Sequence, residues 1–298
     1  MALGRRSFLA ALSLPSAAFG LPGRSGAQRP EDPAVRLPPR TRTIANLPYR
    51  EPDSRDPLVR ERCQLDIHYP VGPARFPTVV WFHGGGLTAG RKELPSALLE
   101  QGIGVVGVGY RLSPGVQSPV WIEDAAAAVA WVFRHIAEYG GDPSRIVVSG
   151  HSAGGYLAAM VGLDKRWLAP YDIHPDRLAG IAPLSPQAIT HFTVRKERGI
   201  PDTRPIVDDL APLYHVRKDA PPILLVTGDR EKELLGRYEE NAYFWRMLKV
   251  AGHPDVTLTE IPGTDHGSMA RPAMPMLLAF VRRVCYKHVP GTLVYPSR

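Results

Sequence analysis

Three short stretches of this chain hold residue types that together make acyl-transfer chemistry. Ser152 stands at the centre of Ser149-Gly150-His151-Ser152-Ala153-Gly154-Gly155. A serine hydroxyl is a poor nucleophile at neutral pH, so it needs an adjacent base, and the base needs an orienting acid. His266 lies in Pro262-Gly263-Thr264-Asp265-His266-Gly267, where flanking glycines let the imidazole turn back toward the serine. Gly228-Asp229-Arg230-Glu231 offers two carboxylates, either of which suits the orienting role. Attack on a carbonyl puts negative charge on its oxygen, and preorganised N–H donors must meet it. His83-Gly84-Gly85-Gly86, placed 69 residues before Ser152, supplies such donors from backbone bare of Cβ atoms. The amides of Gly85, Gly86 and Ala153 are the expected oxyanion hole.

These groups work only if the right elements carry them. Gly-x-Ser-x-Gly taken alone also reads as a Gly-rich helix start. Here Arg145-Ile146-Val147-Val148, a β-branched run, precedes it, and Tyr156-Leu157-Ala158-Ala159-Met160-Val161 follows. Strand, tight turn, helix is the setting of a nucleophile elbow, which projects its serine from the top of a sheet. Apolar runs at 78–82, 103–110, 178–184 and 223–227 read as further strands, with an alternating one earlier at 62–69 and a last one at 256–261. The run 78–82 leads directly into the His83 loop, and 256–261 into the His266 loop. Helices are expected over 124–139, ended by Gly140-Gly141, over 237–250, and at the C-terminal end through Leu277, Leu278, Phe280 and Val281. Alternation of this kind predicts an α/β fold with a mostly parallel central sheet flanked by helices on both faces. Residues 185–220 have no clear period and read as an insertion near the active site, or equally as an irregular crossover.

The first 27 residues should not be read as fold. Arg5-Arg6-Ser7-Phe8-Leu9 opens a basic and then apolar run that ends near Ser25-Gly26-Ala27, the pattern of a twin-arginine-type export signal. That predicts a periplasmic or secreted protein with no stable membrane anchor once the signal is cleaved. Residues 28–60, rich in Pro, Arg and Asp, read as an extended lead-in, and 61–298 as the catalytic domain. Removing Arg5, Arg6 and Arg24 takes the formal charge from +7 to +4, a mild excess for a large domain. No Lys/Arg block interleaved with aromatics is present, so no nucleic-acid partner is expected. No Cys/His cluster or His-Glu-x-x-His spacing points to a metal, and no cofactor is expected. Cys63 and Cys285 sit in different predicted elements and read as two buried thiols rather than a disulfide. Oligomeric state is not legible.

Several motifs together carry a family resemblance. His83-Gly84-Gly85-Gly86, Tyr110-Arg111-Leu112-Ser113-Pro114, Glu123-Asp124-Ala125-Ala126-Ala127-Ala128-Val129 and Gly140-Gly141-Asp142-Pro143 stand ahead of Gly150-His151-Ser152-Ala153-Gly154-Gly155. This set resembles the hormone-sensitive-lipase-like branch of the α/β-hydrolases over about residues 60–285. Bacterial carboxylesterases of acetyl-xylan and feruloyl esterase type are especially similar. The resemblance implies the order serine, acid, histidine, each on a loop after a strand. It also implies an acid three residues beyond the strand-ending glycine, which favours Glu231 over Asp229. The implied activity is hydrolysis of short acetyl or feruloyl esters of carbohydrates, or of small-molecule esters, through an acyl-enzyme. A formamidase-like amide hydrolase and a non-catalytic binding protein on the same fold are the alternatives.

Overall fold

In the computed structural model, residues 40–234 and 236–286 are described; the suspected export signal lies outside them. One eight-stranded sheet organises these residues. Its strands, in chain order, are β1 (Thr41–Pro48), β2 (Gln64–Pro70), β3 (Phe76–Phe82), β4 (Gly104–Val108), β5 (Gly141–His151), β6 (Gly180–Leu184), β7 (Ile223–Gly228) and β8 (Val256–Ile261). They lie in the order β1-β2-β4-β3-β5-β6-β7-β8. β2 is antiparallel to both its neighbours, and every pairing from β4 through β8 is parallel.

The six α-helices of the described residues are α1 (Pro57–Arg62), α2 (Val120–His135), α3 (Ala153–Leu163), α4 (Phe192–Glu197), α5 (Arg237–Val250) and α6 (Ala270–Cys285). Alternation along the strands divides them between two layers. Val80, Phe82, Val106, Val108, Ile146, Val148 and Leu225 face one core, shared with α2, α3, Phe244 and Leu248. Val79, Trp81, Val105, Val147, Leu184 and Val226 face the other, closed by Leu277, Phe280 and Val281 of α6. The central strands are therefore buried on both sides, which is why they read as continuous apolar runs instead of alternating ones. Asp124 is fully buried in α2, where Arg111 grips it through Nε at 2.9 Å and Nη2 at 2.8 Å, and Arg50 Nε adds a bond at 2.7 Å.

The expected fold is the observed one, with corrections at its margins. Residues 41–48 belong to the sheet as its edge strand, and 57–62 form a short helix, so the lead-in is structured from residue 41. Asp56 caps that helix through Oδ1 to the Leu58 amide. The helix expected at 124–139 begins at Val120 and gives way to a 3-10 turn at Ile136–Tyr139 before Gly140, whose φ is +91°. Cys63 and Cys285 are both buried free thiols.

Register explains how distant residues converge. Phe82 pairs with Gly150, His151 with Leu184, Leu184 with Val226, and Gly228 with Ile261. The C-terminal ends of β3, β5, β6, β7 and β8 thus stand along one edge of the sheet. The loops that leave them carry His83–Gly86, Ser152, Ser185, Glu233 and His266.

Candidate active site

Ser152 occupies a sharp corner between β5 and α3, at φ +59° and ψ −119°. A non-glycine residue there is strained, and the surrounding chain must hold it. The glycines beside it permit the approach. A Cβ on Gly154 would stand 1.9 Å from the Phe82 carbonyl oxygen, and one on Gly150 2.5 Å from the same atom. The Ser152 amide donates to the Leu184 carbonyl at 2.9 Å, tying the corner to the end of β6. The expected nucleophile elbow is present in form.

The glycine loop after β3 lies alongside. A Cβ on Gly84 would come 3.6 Å from Ser152 Cβ, and Gly85 and Gly86 take φ of +110° and +63°. His83 fixes this loop from beneath. Its Nδ1–H donates to the Gly84 carbonyl at 2.7 Å, its ring stacks on Tyr110 at 4.3 Å, and the Tyr110 hydroxyl donates to the His83 carbonyl at 2.7 Å. Burial pulls the His83 pKa down to about 4, so the ring stays neutral. The amides of Gly85, Gly86 and Ala153 engage no partner among the described residues. Residues 185–220 cross this same edge: the Thr193 hydroxyl donates to the Gly86 carbonyl at 2.5 Å, and the Phe192 ring leans over Gly86.

The acid differs from both expected residues. Glu233 Oε2 accepts from His266 Nδ1 at 2.8 Å, and its side chain is only 1% exposed. Glu231 is exposed and does not reach the histidine. Asp229 Oδ1 accepts from the Glu231 amide at 2.9 Å and Oδ2 from the Gly263 amide at 2.6 Å. Its role is to clip the loop after β7 to the loop after β8. The reason is the turn: the amides of Lys232 and Glu233 both bond the Asp229 carbonyl, which swings residue 233 back over the strand end. An offset counted along the chain from Gly228 misses that reversal. Nothing in a run with acids at 229, 231 and 233 marks the last of them.

Glu233 is fully satisfied. Besides His266, it accepts from Gly228 N at 3.0 Å, Leu234 N at 3.0 Å and Ser185 Oγ at 2.6 Å. Burial works against its charge, but the bonds from His266, Ser185 and Gly228 outweigh it and hold the carboxyl at about 2. An ionised carboxylate only accepts, so the proton of the His266–Glu233 bond sits on Nδ1. In the neutral ring Nε2 is then the lone-pair nitrogen, and it has no hydrogen-bond partner among the described residues. That is the state required of a general base.

The histidine loop is held by two further contacts. Asp265 Oδ1 accepts from the Gly267 and Ser268 amides at 3.0 and 2.7 Å, so it shapes the turn and does not touch the ring. His151, the neighbour of Ser152, donates from Nε2 to the His266 carbonyl at 2.8 Å, with the two rings 4.7 Å apart. Burial first, and then the neighbouring His266 ring, pull His151 down to about 4. No group of three or more His, Cys, Asp or Glu suited to a metal occurs among the described residues.

The site's likeness to known proteins follows its geometry. The BD-FAE profile matches residues 65–169, and the profile of the prolyl oligopeptidase family matches residues 120–284. Esterase LipC of Mycobacterium tuberculosis is 30% identical over 209 residues, covering 64% of this chain and 51% of that protein. Carboxylesterase NlhH of the same organism is 44% identical over 98 residues, 31% of this chain and 30% of that one. The chain thus spans about half the length of the curated relatives that it matches over the longest stretches. Among solved structures, a truncated carbohydrate esterase from gut microbiota has a TM-score of 0.68 at 20% identity, over 83% of this chain and 97% of that one. A thermophilic esterase of Thermogutta terrifontis has a TM-score of 0.64 at 23% identity, over 84% and 95%. At these identities the structures share the fold. With a profile match over more than half its length, this chain belongs to the prolyl oligopeptidase family of the α/β-hydrolases.

Proposed function

We propose that this protein is a serine carboxylic-ester hydrolase that works through an acyl-enzyme on short acetyl or feruloyl esters of carbohydrates. The observation that carries this reading is the buried Glu233–His266 pair, which leaves Nε2 free as a base on the sheet edge that also bears Ser152. His266 Nε2 takes the Ser152 proton as Oγ attacks the ester carbonyl. The amides of Gly85, Gly86 and Ala153 meet the oxyanion of the tetrahedral intermediate. His266 then returns the proton to the leaving alcohol. Water, deprotonated by the same nitrogen, attacks the acyl-enzyme, frees the acid and regenerates Ser152. Phe192 crowds the glycine side, where a Cβ on Gly86 would lie 2.9 Å from its ζ carbon, and this favours acetyl over the bulkier feruloyl group.

Hydrolysis of p-nitrophenyl esters from acetate to decanoate, with Ser152→Ala alongside, tests this reading. We expect Ser152-dependent release that is fastest on acetate and falls with chain length, followed by release of acetate from acetylated xylan. Faster turnover of N-formylkynurenine than of acetyl esters would move the reading to a formamidase. Export to the periplasm or beyond, through residues 1–27, completes the proposal. It rests on Arg5-Arg6-Ser7-Phe8-Leu9, and fractionation of cells expressing the full chain with those arginines intact or changed to lysine tests it.

A further inference from the structure

Ser185 lies one residue past β6 and is fully buried, at φ +44°. A serine in the left-handed region carries strain, and here two hydrogen bonds on its backbone hold it. Its amide donates to the Val226 carbonyl at 2.7 Å, and its carbonyl accepts from Arg237 Nη1 at 2.6 Å. Arg237 is itself buried, so the backbone at 185 is anchored from the first turn of α5. The hydroxyl then has one direction to take. It lies 2.6 Å from Glu233 Oε1 and 3.0 Å from His266 Nδ1. A serine hydroxyl can bond nearby backbone groups; among the described residues this one bonds none, and its partners are the two groups that make the base.

We propose that Ser185 is a positioning residue of the catalytic apparatus, holding Glu233 and His266 in register through its hydroxyl. The proposal rests on the esterase reading above. Since Glu233 is ionised, Oγ–H donates to Oε1, while an Oγ lone pair shares the Nδ1–H that Glu233 Oε2 accepts. The result is a closed ring, with Nδ1–H to Oε2 on one side and Nδ1–H to Oγ–H to Oε1 on the other. Such a ring fixes both the carboxylate plane and the imidazole plane. It permits only the tautomer with the proton on Nδ1, leaving Nε2 as base.

The test is kinetic, on the full chain, with Ser185→Gly and Ser185→Ala in the wild-type and Glu233→Gln backgrounds. Glycine relieves the backbone strain and alanine keeps it, while both remove the hydroxyl. We expect kcat on p-nitrophenyl acetate to fall ~10–10²-fold in both variants, the range for a lost hydrogen bond to a charged group, with KM nearly unchanged. Because the hydroxyl acts through Glu233, the same changes in the Glu233→Gln background should have little further effect. A second readout is the low-field proton resonance of His266 Nδ1–H, expected to shift in both Ser185 variants. Full kcat in folded Ser185→Gly, or an equal loss in both backgrounds, would overturn the proposal. If the wild-type chain shows no Ser152-dependent turnover, the esterase reading fails instead. The resonance then decides the Ser185 contact by itself: a shift upholds the hydrogen bond, and an unmoved line removes it.

Discussion

Replacing Glu233 by Gln is the most informative single change to this site. The side chain accepts from four donors, namely His266 Nδ1, Ser185 Oγ, Gly228 N and Leu234 N. An amide of the same shape has one oxygen and one NH2. If the oxygen faces the histidine, the NH2 points at the Gly228 amide, donor against donor. If the NH2 faces the histidine, Nδ1 must accept, the ring proton moves to Nε2, and the base is lost. In either orientation the imidazolium formed during attack loses its counter-charge. A carboxylate-to-amide change at this position of a serine–histidine–acid triad lowers kcat by about 10⁴, or ~5 kcal/mol of transition-state stabilisation. Glu231→Gln and Asp229→Asn touch neither ring nitrogen. Glu231 is exposed and should stay within about twofold of wild type, the usual outcome at such surface sites. Asp229→Asn weakens the clip to Gly263 and is expected to cost severalfold, through displacement of the histidine loop. The assay is kcat for p-nitrophenyl acetate, with melting temperatures to show that each variant is folded. A folded Glu233→Gln protein with near-normal kcat, or a larger loss in Glu231→Gln, would refute this assignment of the acid.

Three more outcomes follow from the same structure. Burial holds His83 and His151 at about 4, whereas the unfolded chain protonates each below about 6.5. The unfolded state therefore binds more protons in that window, and stability should fall as pH drops from 6.5 to 4, with these two rings alone contributing up to ~2.7 kcal/mol per pH unit. Glu233, held at about 2 against an ordinary 4.5, adds a further loss between those values. Urea midpoints at pH 7, 6 and 5 that do not move would contradict this. Asp124→Ala leaves Arg111 and Arg50 without their buried partner and should cost ~3–5 kcal/mol, lowering Tm by about 10 °C; a shift under two degrees would show the network to be dispensable. Burial pushes the Cys63 thiol up to about 11 and Cys285 up to about 12, so neither should react with an aromatic disulfide until urea unfolds the chain. Rapid labelling of the native protein would count against the burial of these thiols.

What was legible in the sequence was whatever depends on local pattern. The runs at 78–82 and 223–227 are almost wholly apolar because both sheet faces are covered, and they read correctly as strands; 256–261, with Thr257, Thr259 and Glu260 among its apolar residues, read correctly as the last strand and forms the far edge of the sheet. Gly150, Gly154 and the His83 loop could be placed because close backbone approach excludes other residues. β1 was missed for the opposite reason. As an edge strand it is half-exposed, only every third residue turns inward, and a register shift between Ile44 and Leu47 breaks the period of two. α4 was hidden by its shortness, at six residues. Glu233 and Ser185 depend on tertiary geometry alone. One is selected by a turn that reverses over Gly228, and the other by strand register that sets the end of β6 beside the ends of β5 and β7.

The most direct measurement of the central claim is covalent labelling of Ser152. The full chain, treated with a phosphonate ester probe and analysed by intact mass and peptide mapping, should gain one adduct on the peptide that carries Ser152. Ser152→Ala should gain none, and Glu233→Gln should label far more slowly. A folded wild-type chain that stays unlabelled, or one labelled equally in the presence and absence of Ser152, would contradict the acyl-enzyme account.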